Sequence, residues 1–220
     1  MKSFVVLISG RGSNLQAIID AIASGKITGS IAAVISNRAD AAGLTVAARA
    51  GIPCRVIEPT AEQTREQYDA GLMQQIDALK VDFVVLAGFM RILSAGFIAH
   101  YANRILNIHP SLLPAFKGLN THRRALAAGS TRHGASVHFV SAELDSGAVV
   151  LQAEVAIKPD DTEKSLANRV LQAEHVIYPM VIQWYIEGRL GFSGAQLYFD
   201  NKPLNAACQW KNQQLLMPDN

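Results

Sequence analysis

The 220-residue sequence holds only two cysteines, Cys54 and Cys208, far apart and outside any Cys-x-x-Cys spacing. A disulfide framework and a cysteine-based zinc site are excluded, and free thiols fit a reducing compartment. Charge of neither sign dominates: 20 Lys plus Arg stand against 18 Asp plus Glu, a formal net charge of +2. That balance gives no case for nucleic acid or an anionic membrane as the main partner. An anionic small molecule needs only local positive potential and stays open. No run reaches the roughly 18–20 apolar residues of a membrane span. The opening "MKSFVVLISGRGSN" has too short an apolar core for a secretory signal and no small-residue cleavage site after it. A cytoplasmic protein is expected. There is no His-Glu-x-x-His and no Gly-x-Ser-x-Gly, so neither a zinc peptidase nor a serine hydrolase is signalled. His122, His133 and His138 do not form a metal-ligand spacing with a third ligand, and no metal is expected.

Half of the residues are hydrophobic, enough for a sizeable core. Short β-branched runs alternate with longer amphipathic stretches. "FVVLIS" (4–9), "IAAVIS" (31–36), "CRVIEP" (54–59), "DFVVLAG" (82–88) and "RILNIH" (104–109) read as strands. Residues 14–25, 39–51 and 60–80 read as helices, the last with Thr60 as N-cap. This alternation predicts an α/β fold with a doubly wound, mostly parallel sheet and helices on both faces. Beyond residue 130, "GASVHFVS" (134–141) and "AVVLQAEVAI" (148–157) lie close together, which makes the sheet mixed. A long helix follows at about 161–188. One domain over 1–190 is expected, with a C-terminal extension over 191–220 that forms a peripheral hairpin and a loose tail.

Two features carry chemistry. "SGRGSN" (9–14) joins the first strand to the first helix, where open parallel sheets bind ligands. Gly12 permits close backbone approach, and Ser13 and Asn14 add polar groups at a helix start whose free N–H groups attract anions. Position 15 is Leu, so the dinucleotide fingerprint fails, and no Gly-Lys-Ser/Thr is present. A monophosphate cradle and a plain capped turn both remain open. The second feature is Asn107-Ile108-His109-Pro110. Residues i and i+2 of a strand share a face, and Pro110 keeps His109 extended. The Asn107 amide can donate to a developing oxyanion, and the His109 imidazole can give or take a proton. Asp145, in the turn "ELDSG" (143–147) between two apolar strands, is a carboxylate with no packing reason to be there, and a carboxylate beside an imidazole favours its charged form. A plain Asp-Ser-Gly turn is the competing reading.

Six ordered blocks then resemble the phosphoribosylglycinamide formyltransferase family: "VLISGRGSNLQAII" (6–19), "VISNRADAAGL" (34–44), "VVLAGFMRILS" (84–94), "ILNIHPSLLPAFKG" (105–118), "HGASVHFVSAELDSGAVVLQ" (133–152) and "RVLQAEHVIYP" (169–179). The resemblance implies a Rossmann-type formyltransferase fold. It implies transfer of a formyl group from 10-formyltetrahydrofolate to the amine of glycinamide ribonucleotide, a step of purine biosynthesis, without a metal. It assigns Asn107, His109 and Asp145 to catalysis. It assigns Gly12, Ser13, Asn14 and Glu174 to the ribonucleotide. The folate falls to Arg65, Met90, Arg91, Ile92, Leu93, Asn107, Val140, Ser141, Glu143, Leu144 and Asp145. The partners implied are these two small molecules, with neither nucleic acid nor membrane, for a monomer or homodimer. It also implies a cis bond at Leu113–Pro114 and a mobile loop over 111–132. Lys117, Asn120 and Ser146 depart from the family pattern. The alternatives are a 10-formyltetrahydrofolate hydrolase and a non-catalytic nucleotide-binding module.

Overall fold

The computed structural model describes residues 1–218. By compactness the chain divides into two units, Met1–Asn107 and the stretch from Ile108 onward.

The first unit alternates strands and helices: β1 (Ser3–Ile8), α1 (Ser13–Ala23), β2 (Ser30–Ser36), α2 (Ala42–Arg49), β3 (Cys54–Val56), α3 (Arg65–Asp77), β4 (Phe83–Leu86) and α4 (Ala95–His100). β5 (Ile105–His109) carries the chain across the division. The strands lie in the order β5-β4-β1-β2-β3, and their pairings are parallel. Phe4 to Ile8 are all fully buried, as are Phe83, Val84 and Val85. Continuous apolar runs of this kind are what a parallel strand covered on both faces requires. The rings of Phe4 and Phe83 stack at 4.9 Å between the neighbouring strands β1 and β4. On α1 the buried positions Asn14, Leu15, Ile18 and Ala21 form one stripe.

The second unit holds α5 (Thr121–Ala127), β6 (Arg132–Phe139), β7 (Val149–Ala156) and α6 (Glu163–Ile186). After them come β8 (Leu190–Ser193), β9 (Gln196–Phe199), β10 (Lys202–Pro203), β11 (Cys208–Lys211) and β12 (Gln214–Leu216). The order is β12-β11-β7-β6, with β8, β9 and β10 in a separate small sheet. β6 and β7 are antiparallel, β11 is parallel to β7 and β12 antiparallel to β11. The sheet is therefore mixed and mostly parallel. Among the described residues no helix is long and apolar enough to cross a membrane.

Several local details differ from what the sequence predicts. α3 starts from Thr64, whose side chain accepts from Gln67 N–H while Gln67 returns a bond to Thr64 N–H. The stretch "TAEQTREQ" carries Thr-x-x-Gln twice, and the first copy forms only a turn at Thr60. α4 and α5 are additional helices of six and seven residues, too short to show a clear apolar period. The hairpin expected after residue 190 is β8–β9 and β9–β10, with Asp200 and Asn201 both left-handed in its second turn. Of the last residues, expected to be loose from 213 onward, Gln214–Leu216 instead form β12 against β11, and β11 itself lies beside β7 with Cys208 fully buried. The last two positions, 219–220, lie outside the described residues.

Candidate active site

In the first unit the turn after β1 is built by close backbone approach. Gly12 is left-handed at φ 76° and precedes the first residue of α1. A Cβ there would sit 2.5 Å from Gly43 Cα, and Gly43 N–H donates to Gly10 C=O at 2.9 Å. Only glycine fits. Ser13 then opens the helix and Asn14 is buried on it. Ser9 opens the stretch "SGRGSN", but its place there assigns it no role. Its hydroxyl donates to Asn37 Oδ1 at 2.5 Å and accepts from Met90 N–H at 2.8 Å. It thereby ties the glycine turn to the segment after β4. On that segment Met90 and Ile92 expose their side chains, while Leu93 is buried. The Arg91 guanidinium lies 4.1 Å over the Tyr68 ring, a cation–π contact that orients it. Arg65 is exposed at the start of α3.

Asn107 and His109 occupy alternate positions of β5, Asn107 half-buried and His109 buried. The structure brings Asp145 to His109. Asp145 Oδ2 lies 3.5 Å from His109 Nδ1, with the two side chains 8% and 7% exposed. The same oxygen accepts from Gly118 N–H at 2.8 Å. His109 Nε2 is 3.0 Å from Phe116 C=O. A carbonyl only accepts, so this nitrogen carries the proton. Both ring nitrogens thus face oxygen acceptors. Asp145 itself sits left-handed at φ 49° in its turn, a conformation Asp tolerates better than most residues.

A second imidazole shares the carboxylate. His138 Nε2 is 3.7 Å from Asp145 Oδ1, and its Nδ1 donates to Phe139 C=O at 2.9 Å. Burial lowers the His138 pKa below its usual value, against a smaller upward pull from the Phe139 carbonyl and Asp145. The sequence could not place His138, because its register relative to Asp145 depends on the irregularity between Val137 and His138 in the β6–β7 pairing. His122 Nδ1 and His133 Nε2 approach to 3.1 Å. Burial first, then His122 and His109, push His133 down to about 4.

The two departures Lys117 and Ser146 meet: Lys117 Nζ donates to Ser146 Oγ and lies 3.4 Å from Glu143 Oε1. Ser141 Oγ donates to Glu143 C=O at 3.0 Å. Leu144 is exposed, Val140 half-buried, and Asn120 precedes α5 in a left-handed conformation. The Leu113–Pro114 bond is cis. Glu174 is buried on α6.

An Asn-x-His strand end with a buried carboxylate beside the imidazole can stabilise an oxyanion and move a proton. The formyl transferase family profile matches residues 2–182. The chain belongs to the formyl transferase family. Within it, the chain is 53% identical over 202 residues to the phosphoribosylglycinamide formyltransferase of Escherichia coli, covering 92% of this chain and 95% of that one. A solved phosphoribosylglycinamide formyltransferase from Coxiella burnetii superposes with a TM-score of 0.89 at 49% identity, covering 94% and 98%. A formyltetrahydrofolate deformylase from Burkholderia mallei has the same fold at a TM-score of 0.82. It is 27% identical, and the match covers 90% of this formyl transferase but 69% of that chain.

Proposed function

We propose that this formyl transferase moves the formyl group of 10-formyltetrahydrofolate to the primary amine of glycinamide ribonucleotide, in purine biosynthesis in the cytoplasm. The observation that carries the reading is the end-to-end likeness to the Escherichia coli enzyme of that name. The amine nitrogen attacks the formyl carbon, and the carbonyl oxygen becomes an oxyanion. Asn107 donates a hydrogen bond to it, and protonated His109 stabilises it and gives a proton to the departing folate nitrogen. Asp145 holds the imidazole through Nδ1 and accepts, through a water, the proton that the amine loses. One proton leaves the amine and one reaches the leaving nitrogen, so the exchange balances.

Gly12, Ser13 and Asn14 hold the ribonucleotide phosphate on backbone N–H groups at the start of α1, and Glu174 takes its ribose or glycyl part. Met90, Arg91, Ile92, Leu93, Arg65, Val140, Ser141, Glu143 and Leu144 serve the folate. The exposed apolar side chains of Met90, Ile92 and Leu144 support this, since a planar ring system needs such surface. Residues 1–190 carry the activity, and the segment from 191 extends the sheet beyond β7.

The test measures formyl transfer to glycinamide ribonucleotide with purified protein, and free formate in parallel. Acceptor-dependent product without matching formate is the expected result. Formate release that does not require the acceptor would make the protein a hydrolase. Ribonucleotide binding without turnover would leave only a binding module.

A further inference from the structure

The segment that follows His109 runs beside open space. An open groove of about 570 Å³ is lined by its residues Leu112, Ala115 and Phe116, and by His133, Gln152 and Gln209 from the strands. On its inner side the loop is held to β6 and β7 by hydrogen bonds. Ser136 on β6, fully buried, accepts from Leu113 N–H at 3.0 Å and donates to Ser111 C=O at 2.7 Å. Gln152 lies opposite Ser136 on β7. Its Nε2 donates to Leu113 C=O at 2.8 Å and to Ser136 Oγ at 2.9 Å. Gln209 on β11 donates to Gln152 Oε1 at 3.2 Å. A flipped amide would set its oxygen against the Leu113 carbonyl, so the orientation is determined.

The loop passes this anchorage on. Ser111 Oγ donates to Ala115 C=O at 2.6 Å. The next residue, Phe116, presents the carbonyl that accepts from His109 Nε2. We propose that Gln152 is a positioning residue for His109. Its amide fixes Leu113 directly and Ser111 through Ser136, and the loop so held aims the Phe116 carbonyl at the imidazole. The inference rests on the assignment of His109 to formyl transfer. Gln152 is assigned to neither substrate, and it acts only through the orientation of the ring. Misplacing a catalytic group by about 1 Å costs on the order of 100-fold in rate.

The experiment compares wild type with Gln152→Leu, Gln152→Glu, Ser136→Ala and Ser136→Thr. Each is measured for kcat, both KM values, thermal midpoint and the imidazole Nε2 resonance of His109 in protein labelled with ¹⁵N-histidine. Leu and Glu at 152 both remove the donor to Leu113. Those two variants and Ser136→Ala are expected to lose about 10- to 100-fold in kcat. KM is expected to change little, and the His109 resonance to shift. Ser136→Thr keeps the hydroxyl and is expected to stay near wild type. A fall in thermal midpoint with kcat per folded molecule and the His109 resonance unchanged would overturn the proposal. If Gln152→Leu fails to fold, the Ser136 pair decides the same question. If wild type transfers no formyl group, the functional reading fails, while the His109 resonance still decides the positioning role.

Discussion

Replacing Asp145 by Asn removes one charge and almost no volume. The amide oxygen can still accept from Gly118 N–H, now 2.8 Å from Oδ2, and Asn tolerates the left-handed conformation that residue 145 adopts at φ 49°. The turn should therefore keep its shape, and any loss of stability is bounded by the attraction lost with the charge. His109 is what changes. Its Nδ1 lies 3.5 Å from the carboxylate, and both side chains are nearly buried. At an effective dielectric constant of about 20, that separation gives roughly 4–5 kcal/mol of attraction for the protonated ring. This is an upper bound, because Asn supplies a dipole in place of the charge. Losing one preorganised stabilising group typically costs about 2.7–4 kcal/mol of barrier, on the order of 100- to 1,000-fold in rate. The second figure falls within that bound, so Asp145→Asn is expected to lower kcat by that factor per folded molecule. The assay follows product formation with both substrates saturating. A variant within about tenfold of wild type would refute the role given to the carboxylate.

Three further outcomes follow from the same geometry. Gly12→Ala must place a Cβ 2.5 Å from Gly43 Cα in a left-handed conformation; the conformation alone costs about 1–2 kcal/mol. Urea unfolding should show at least that loss together with weaker ribonucleotide binding, and an unchanged midpoint would contradict it. Gly147→Ala would set a Cβ 1.8 Å from Phe139 C=O, forcing the Asp145 turn away from the end of β6. It should depress kcat as well as stability, and full activity would show that the turn adapts. The folded His133 ring holds a proton only below about pH 4, against an ordinary value of 6.5. Between those values the unfolded chain binds more protons, so this contribution to stability is present above about pH 6.5 and is lost as pH falls toward 4. Wild type should lose about 2 kcal/mol more than His133→Asn between pH 7 and 4.5. Equal losses in denaturant titrations would show that His133 does not drive the acid sensitivity.

Much of the site can be read along the chain because its parts are local. The period-2 rule sets Asn107 and His109 on one face of β5, and the Gly-rich turn sits where β1 meets α1, both within a few residues. The Asp-Ser-Gly turn is visible too, and the ordered family blocks choose among the readings that spacing leaves open. What stays hidden is mutual. His138 beside Asp145 depends on an irregularity in strand register. Ser9 holding Met90 spans 81 residues, and Gln209 holding Gln152 spans 57. The last residues read as loose because their strand, β12, forms only as an edge added to β11.

The sequence by itself determined the alternation of strands and helices, the polar tip of β5 and the family. Periodicity, turn chemistry and motif order are properties of neighbouring residues, and they survive without a fold. Only the tertiary structure decided which carbonyl meets Nε2 of His109, and that Asp145, already marked by its turn and the family blocks, meets Nδ1. It also decided which amide, from a distant strand, holds the loop that supplies that carbonyl. Those pairings depend on register and chain return, and the direction of a hydrogen bond is not written in either partner alone.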